Sequence, residues 1–460
     1  MDRKTRTGSF MKSLWRQETK CIKNSKQVSE EEAQKVHWDV IVVGAGMAGL
    51  LIAYYLKEQG KKVLVLEAKE IASGQTERTT AKITGQHGLK YSSLIKSVGA
   101  QKAKLYAQAN EAAIEEYDKL VKEKKIDCQF ERVPSYLYTT QEAAMLHEEA
   151  AAAAFLGIDA FFTKETELPF EVEGAVCFCN QAQFSPLEFV RHISVELNIL
   201  EHTQVMKVRG HKVITKDSVF LADKIVVATH YPIVNVPGFY FIRQHQERSY
   251  VLALSGCDHI KGMYYGIDKG GHSFRQAGEY ILLGGSSGRT GEINCGAAYD
   301  MLEKAAVKYY PDCKEELRWA AQDCMPHDGI PYIGKYSIFT PHLYVATGFQ
   351  KWGMTSSMIA AVVLRDELCG VENPYAALFS PQRINFRAAY KNLLHDIGMS
   401  AKGLTKGLFH KNGPRCSHMG CELVWNPEEK SWDCPCHGSR FTEEGTLLDN
   451  PAKRDLNREK

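Results

Sequence analysis

Two short runs near the C-terminus, Cys416-Ser-His418 and Cys434-Pro-Cys436-His437, each pair one thiol with one imidazole. Fifteen residues, 419 to 433, separate the two half-sites. Two thiolates and two neutral imidazoles suit a metal centre. Zinc commonly takes such a donor set. A two-iron cluster can use it differently, with both cysteines on one iron and both histidines on the other, which raises the cluster potential. A zinc finger keeps its cysteines together and its histidines together. Here the two types alternate, and each half-site sits in a loop marked by Gly413-Pro414 or by Pro435 and Gly438. The alternation favours the cluster, with zinc as the alternative. Such a cluster passes single electrons, so the rest of the chain is expected to exchange electrons with it.

A second constellation lies near the other end. Asp39-Val-Ile-Val-Val-Gly44-Ala-Gly46-Met-Ala-Gly49 runs an apolar strand into GxGxxG. A helix-period stretch follows from Leu50 to Glu58, then a strand from Lys62 to Glu67. The acid falls 18 residues after Gly49, near the spacing of a βαβ dinucleotide site. In such a site Gly44 makes the tight turn, Gly46 admits the pyrophosphate and Gly49 allows close helix–strand packing. The helix N-terminus offers free N–H groups to the phosphates. Glu67 would accept from the adenosine ribose. A membrane span over the 17 uncharged residues Val40–Leu56 is the competing reading; it is short for a span and carries three glycines. The motif alone leaves FAD and NAD both open.

The C-terminal segment resembles the Rieske proteins of respiratory and photosynthetic cytochrome complexes, whose pattern reads CTHxGC…CPCHGS. The resemblance implies that Cys416, His418, Cys434 and His437 are ligands of a [2Fe–2S] cluster and that Cys421 and Cys436 form a disulfide between the ligand loops. It implies that Ser439 donates a hydrogen bond to the cluster. Phe441 stands where those proteins usually carry a tyrosine. Losing a hydroxyl donor should place the potential in the lower half of the Rieske range, roughly −150 to +300 mV; redox titration reads it directly. The segment departs from the family before the first loop. Residues 373–415 read as an apolar helix, Tyr390 to Ile397, and a Gly/Lys-rich connection instead of a β-sandwich. Only the cluster-binding half is expected, and so short a piece must lean on its cluster, the disulfide and the larger domain.

The larger part resembles the glycine oxidase and D-amino-acid oxidase superfamily of FAD-dependent oxidoreductases, over roughly residues 36–372. The polar stretch from Ile71 to Gly88, holding Thr79 and Thr80, is similar to that family's FAD-contacting loop. Asp223-Lys-Ile-Val-Val-Ala-Thr-His230 is similar to its midchain strand, Gln183-Phe-Ser-Pro186-Leu to its midchain segment, and Val205 falls at its adenine contact. Asp328–Gly334 and Leu343-Tyr-Val-Ala-Thr-Gly348 through Gly353-Met354-Thr355 match its C-terminal end. The resemblance selects FAD. A helix starting at Gly353–Thr355 would point its N–H groups at the pyrimidine end of reduced flavin.

The expected fold is α/β. It comprises a discontinuous Rossmann-like FAD-binding domain (37–90, 181–234 and 321–372) and an inserted α+β substrate domain (91–180 and 235–320). A small all-β Rieske-type module (411–460) follows a helix-bearing linker (373–410). Residues 1–36 hold nine Lys/Arg against five Asp/Glu, lack an apolar secretory core and read as a solvated arm, with capping-box spacing at Ser29–Glu32. Basic and acidic residues nearly balance, 57 against 55, which argues against nucleic acid as a partner. Nine of the thirteen cysteines lie outside the cluster region without paired spacing, which suits a reducing cytoplasm. No transmembrane segment is expected.

Candidate substrate residues are His87, His230 and Arg275, with Arg289 as a second possible carboxylate clamp. Tyr250, Tyr264 and Tyr265 are candidate pocket walls. Together these readings point to oxidation of a small molecule, an amine or amino acid by family resemblance, through hydride transfer to flavin. The cluster would pass single electrons to a carrier through His418 and His437 exposed at its tip. A cluster-fed flavin reductase and a non-catalytic redox sensor or structural iron–sulfur flavoprotein are the alternatives.

Overall fold

The computed structural model describes residues 12–19, 22, 28–292, 297–383 and 413–456. The strand His37–Val43 lies at the middle of an eight-stranded sheet, parallel to Val219–Val227 on one side and Val63–Leu66 on the other. A parallel strand covered on both faces must be apolar throughout. Val40–Val43 and Val63–Leu66 meet that demand and are buried. Leu343–Thr347 extends the sheet beyond Val219–Val227. Helices Met47–Glu58 and Gly353–Cys369 pack against one another over this sheet. Two short N-terminal and C-terminal stretches therefore build one site. The apolar run Val40–Leu56 is a strand, a turn and a helix, and no helix among the described residues is long and apolar enough to cross a membrane.

A nine-stranded mixed sheet stands against the first. It takes strands from both inserted regions, among them Glu131–Thr139, Gly174–Gln183, Gln244–Ser255, Met263–Gly266, Ser273–Ala277 and Tyr280–Arg289. It also takes Lys82–Ile83 and the whole of Lys314–Pro326. The latter pairs with Gln244–Ser255 from Ser255↔Lys314 to Gln244↔Pro326, so residues 321–326 belong to this sheet by hydrogen bonding and not to the flavin-type sheet that the sequence division gives them.

The C-terminal module is a four-stranded antiparallel sheet, Val424–Asn426, Ser431–Asp433, Arg440–Thr442 and Leu447–Asp449. Its fully buried apolar core is four cysteines with Leu423, Phe441 and Ala452. Arg440 ties the strands together through Asp433 (3.0 Å), Asp449 (3.0 Å) and Glu429 (2.8 Å). The expected linker helix, Tyr390 to Ile397, lies outside the described residues.

The N-terminal arm corrects the sequence reading. Leu14–Glu18 is a helical turn whose Trp15 is buried, donates to the Thr79 carbonyl (2.7 Å) and lies beneath the Arg275 guanidinium. A tryptophan is too large an apolar surface to leave in water when a core edge is available. The capping box at Ser29 and Glu32 forms as its spacing predicts.

Candidate functional site

The first glycine motif makes a cradle. Gly44 has φ +107°, and a Cβ there would meet the Ala228 carbonyl at 2.6 Å. At Gly49 a Cβ would stand 1.9 Å from the Gly44 oxygen, so glycine alone lets the helix approach the strand. Gly46 caps the helix with no side-chain bond, and the Met47 amide donates to Thr76 Oγ1 (2.9 Å). Glu67 turns its carboxylate toward the same turn, accepting from the Ala45 and Lys69 amides (2.7 and 2.9 Å), while burial pushes its pKa up. A cavity of about 370 Å³ opens here. Gly44, Gly46, Glu67, Val205, Thr79, Thr80, Gly348, Gly353 and Met354 all line it. Thr355 does not; its hydroxyl is buried on the Thr84 carbonyl (3.2 Å). A Cβ on Gly353 would meet nothing within 4 Å, so this helix start faces open space. The cradle and the helix N-terminus fit a dinucleotide with a ring system at its far end.

The candidate substrate residues separate. His230 lines the cavity at the end of Val219–Val227, and burial lowers its pKa to about 4. His87 is behind the wall. Its nitrogens bond Tyr106 Oη (2.7 Å) and the Thr84 carbonyl (2.8 Å), and its ring stacks on Trp352 at 4.8 Å. Arg275 is 3 % exposed, with its donors spent on the carbonyls of Thr80, Ala81 (3.0 Å) and Phe184 (2.9 Å) and on Gln183 Oε1 (2.9 Å). It holds a loop and is not a carboxylate clamp. Arg289 reaches the Pro435 and Cys436 carbonyls (both 3.2 Å), so it belongs to the cluster loop. Tyr250 and Tyr265 line the cavity, whereas the Tyr264 side chain packs in the sheet.

A charged group that the sequence reading missed lines the same cavity. Asp323 lies 3.8 Å from Lys351 Nζ, and Glu247 lies 3.5 Å from it, giving two carboxylates for one ammonium. Burial pushes the Asp323 pKa up to about 6, against the pull of Lys351 and with a push from Glu247. Glu247 is also desolvated, but the His245 hydrogen bond and the Lys351 charge outweigh burial and take it down to about 2. Asp323 sits in Trp319-Ala-Ala-Gln-Asp323-Cys-Met, and an acid inside such an apolar strand was the available signal. Lys82 also lines the cavity, with burial and then Arg275 lowering its pKa to about 7.

The cluster module closes one end of this cavity with Leu447–Asn450, Ala452 and Lys453. Its docking bonds include Asn450 Nδ2 to the Thr229 and Tyr231 carbonyls (2.8 and 2.7 Å) and Lys69 Nζ to the Leu448 carbonyl (2.7 Å). Cys416, Cys421, Cys434 and Cys436 are all buried free thiols, and the Sγ atoms of Cys421, Cys434 and Cys436 lie within 4.8 Å of one another. The structure does not show the expected Cys421–Cys436 bond, and both thiols are free in it. The His418 and His437 rings sit 5.0 Å apart at 89°. His418 Nδ1 is buried without a hydrogen bond, and its Nε2 lies 3.2 Å from Asn235 Oδ1. A ligating histidine uses one nitrogen for metal and anchors the other in this way. The Ser439 hydroxyl reaches the Cys416 thiol, and Phe441 is fully buried. Soft donors, an unpaired ring nitrogen and a hydroxyl beside a thiol fit a [2Fe–2S] cluster on Cys416, His418, Cys434 and His437. The exposed tip expected from sequence is observed only at His418, which is partly exposed. His437 is 4 % exposed, edge-on to Phe241 at 6.0 Å, because the segment after Thr229 folds over it.

Comparisons with known proteins agree with both halves. A family model for FAD dependent oxidoreductases matches residues 39–367, and one for the Rieske [2Fe-2S] domain matches residues 404–458. The YhfW protein of Bacillus subtilis (strain 168), whose name describes a Rieske 2Fe-2S iron-sulfur protein, is 33% identical over 470 residues, covering 91% of this chain and 92% of its own. A cytochrome b6-f complex iron-sulfur subunit of Trichormus variabilis is 46% identical over 41 residues, 9% of this chain and 23% of that subunit. The fold is similar to glycine oxidase from Geobacillus kaustophilus, with TM-score 0.65, 19% identity, and 76% of this chain and 99% of that one covered. It is also similar to L-amino acid deaminase from Proteus vulgaris, with TM-score 0.63, 14% identity, and 79% and 100% covered. The cradle, the two-sheet cavity and the cysteine–histidine module thus have one common description: this chain belongs to the FAD-dependent oxidoreductase family and carries a C-terminal Rieske [2Fe-2S] domain.

Proposed function

We propose that the chain oxidises a small amine or amino acid and passes the electrons on singly to a one-electron carrier. One observation supports this above the others: the flavin cradle, the second sheet and the cluster module share the wall of a single cavity. Once the bound ammonium has lost a proton to solvent, bound FAD would take a hydride from the substrate C–H, leaving an iminium that water hydrolyses, and a bound cluster would handle one electron at a time. The chain's own residues bind and orient. Gly44 and Gly46 seat the dinucleotide, and the open helix start at Gly353 meets the ring. Asp323, in excess over Lys351 with Glu247, favours a cationic amine beside it, while Tyr265 and Trp352, in contact at 5.5 Å, supply aromatic faces. The free cysteines outside the module, such as Cys128, Cys177 and Cys324, support a cytoplasmic location.

An anaerobic screen tests the reading. Bleaching of the flavin bands by amines or amino acids, followed by a rhombic reduced-cluster EPR signal, supports it. Bleaching only by a reduced low-potential protein donor indicates a cluster-fed reductase. No bleaching at all, with unfolding on iron removal, indicates a non-catalytic protein.

Asp323 provides a sharper measurement. Truncating one partner of a buried charge pair costs about 2–5 kcal/mol, so Asp323→Asn is expected to lower kcat/KM for an amine roughly thirtyfold or more. The acid is charged above about pH 6 and neutral below it. Wild-type kcat/KM is therefore expected to fall as pH drops through 6, with Glu247 and Lys351 keeping their charges. The Asn variant should lack that limb. Retention of both the rate and the limb in Asp323→Asn would remove Asp323 from the substrate site.

A further inference from the structure

Two glutamines cross from the second sheet to the loop that carries His437. Gln246 and Gln322 sit on paired strands, 2 % and 0 % exposed. Gln246 Nε2 donates to the His437 carbonyl (2.7 Å) and the Asn450 carbonyl (3.1 Å). Gln322 Nε2 donates to the Gly438 carbonyl (2.8 Å) and to Gln246 Oε1 (2.8 Å). The Gln322 oxygen accepts from Arg248 Nη1 (3.2 Å) and Thr290 Oγ1 (3.3 Å). Toward the cavity, the Gln322 amide donates to Gln75 Oε1 (2.7 Å), and Gln75 is part of the cavity wall. The fit is tight on the loop side too. Gly438 has φ +83°, and a Cβ there would stand 2.7 Å from Gln246 Cβ and Nε2.

A buried polar network is costly unless every member is satisfied, and a satisfied one specifies a single geometry. Each glutamine gives one donor bond to a carbonyl of the ligand loop, His437 or Gly438, and the others go to Asn450 and to Gln246 Oε1. Their amides are neutral, so they hold the loop without adding charge beside it. Of the two tip histidines, His437 is buried against Phe241, while His418 is partly exposed and bonded to Asn235.

We propose that Gln246 and Gln322 act as one positioning unit that locks the His437 loop to the wall of the flavin cavity, so that cluster and flavin are held at one fixed separation with His437 turned inward. The module does not swing out to meet a carrier. This rests on the reading of Cys434–His437 as a cluster loop.

The test uses the full-length holoprotein with Gln246→Met/Gln322→Met, which keeps side-chain length and removes the hydrogen bonds. Flavin and iron content are expected to stay at wild-type levels. Amide hydrogen exchange over residues 434–439 is expected to rise about tenfold or more, since two buried carbonyls lose their donors. After anaerobic photoreduction of the flavin, bleaching of the cluster bands should slow by a similar factor. Gly438→Ala, which displaces the loop and leaves both glutamines in place, should move both readouts in the same direction. Should the double variant lose iron, Gln246→Met alone carries the same two measurements. Wild-type exchange and wild-type bleaching in all variants would overturn the lock. Wild-type protein purified without iron would instead sink the cluster reading, and exchange alone would then decide the lock.

Discussion

Cys416→Ser and Cys434→Ser are each expected to abolish the cluster, dropping the reduced-state EPR signal and the iron content to near background while the flavin bands remain. The reason is the poverty of the module's core. Among the described residues, four of its seven buried apolar residues are cysteines; the others are Leu423, Phe441 and Ala452, with Trp432, Leu447 and Leu456 partly buried against them. In small metal modules the binding free energy is folding free energy. Loss of one thiolate should therefore also open strands Val424–Asn426 to Leu447–Asp449 to proteolysis. The companion variants Cys421→Ser and Cys436→Ser discriminate between ligand sets. The thiols of Cys421, Cys434 and Cys436 cluster within 4.8 Å, whereas the resemblance assigns Cys416 and Cys434 with the two histidines. Retention of the EPR signal in Cys421→Ser supports the resemblance. Its loss there, with retention in Cys416→Ser, would reassign the ligands, and zinc in place of iron would remove the electron relay altogether.

The second large effect is at Gly49. An added methyl would stand 1.9 Å from the Gly44 oxygen, and that atom is backbone, so helix Met47–Glu58 must move off its strand. Overpacking of this kind costs typically 1–3 kcal/mol, and the same movement takes the helix N-terminus away from the phosphates. Gly49→Ala is expected to weaken FAD binding about a hundredfold or more and to yield largely colourless protein. Gly353→Ala is the informative contrast. Its methyl enters open cavity space. That variant should fold normally, with an unchanged melting temperature in the FAD-free state, and should lose FAD affinity only because the methyl meets the flavin ring. Equal, near-wild-type flavin binding in both variants would remove the ring system from this end of the cavity.

How far the site was readable follows from the range of the interactions involved. Gly44, Gly46, Gly49 and Glu67 were legible because one local βαβ unit contains them and its backbone geometry demands those residue types. Glu131–Thr139 and Leu343–Thr347 were legible for a similar reason, as short apolar or alternating runs between turns. The charged wall was not. Asp323, Lys351 and Glu247 come from three separate segments, and no spacing connects them. Arg275 was misread because an arginine in a strand looks the same whether it faces a cavity or a set of loop carbonyls. Its partners, Thr80, Ala81 and Phe184, lie roughly a hundred to two hundred residues away in the chain. The solvated reading of the N-terminal arm failed because a polar neighbourhood conceals one anchoring ring, Trp15.

By itself the amino-acid order pointed to a dinucleotide site and a metal centre, through donor types and glycine spacings that act over a few residues, and the family resemblance then selected FAD and the [2Fe–2S] cluster. It also determined most strands and helices, whose periodicities are local. Only the tertiary structure decided which side chains face the cavity, that His437 turns inward, and that Gln246 and Gln322 grip the loop between them. Those outcomes depend on how two sheets and a small module pack together, and packing joins residues that no local pattern relates.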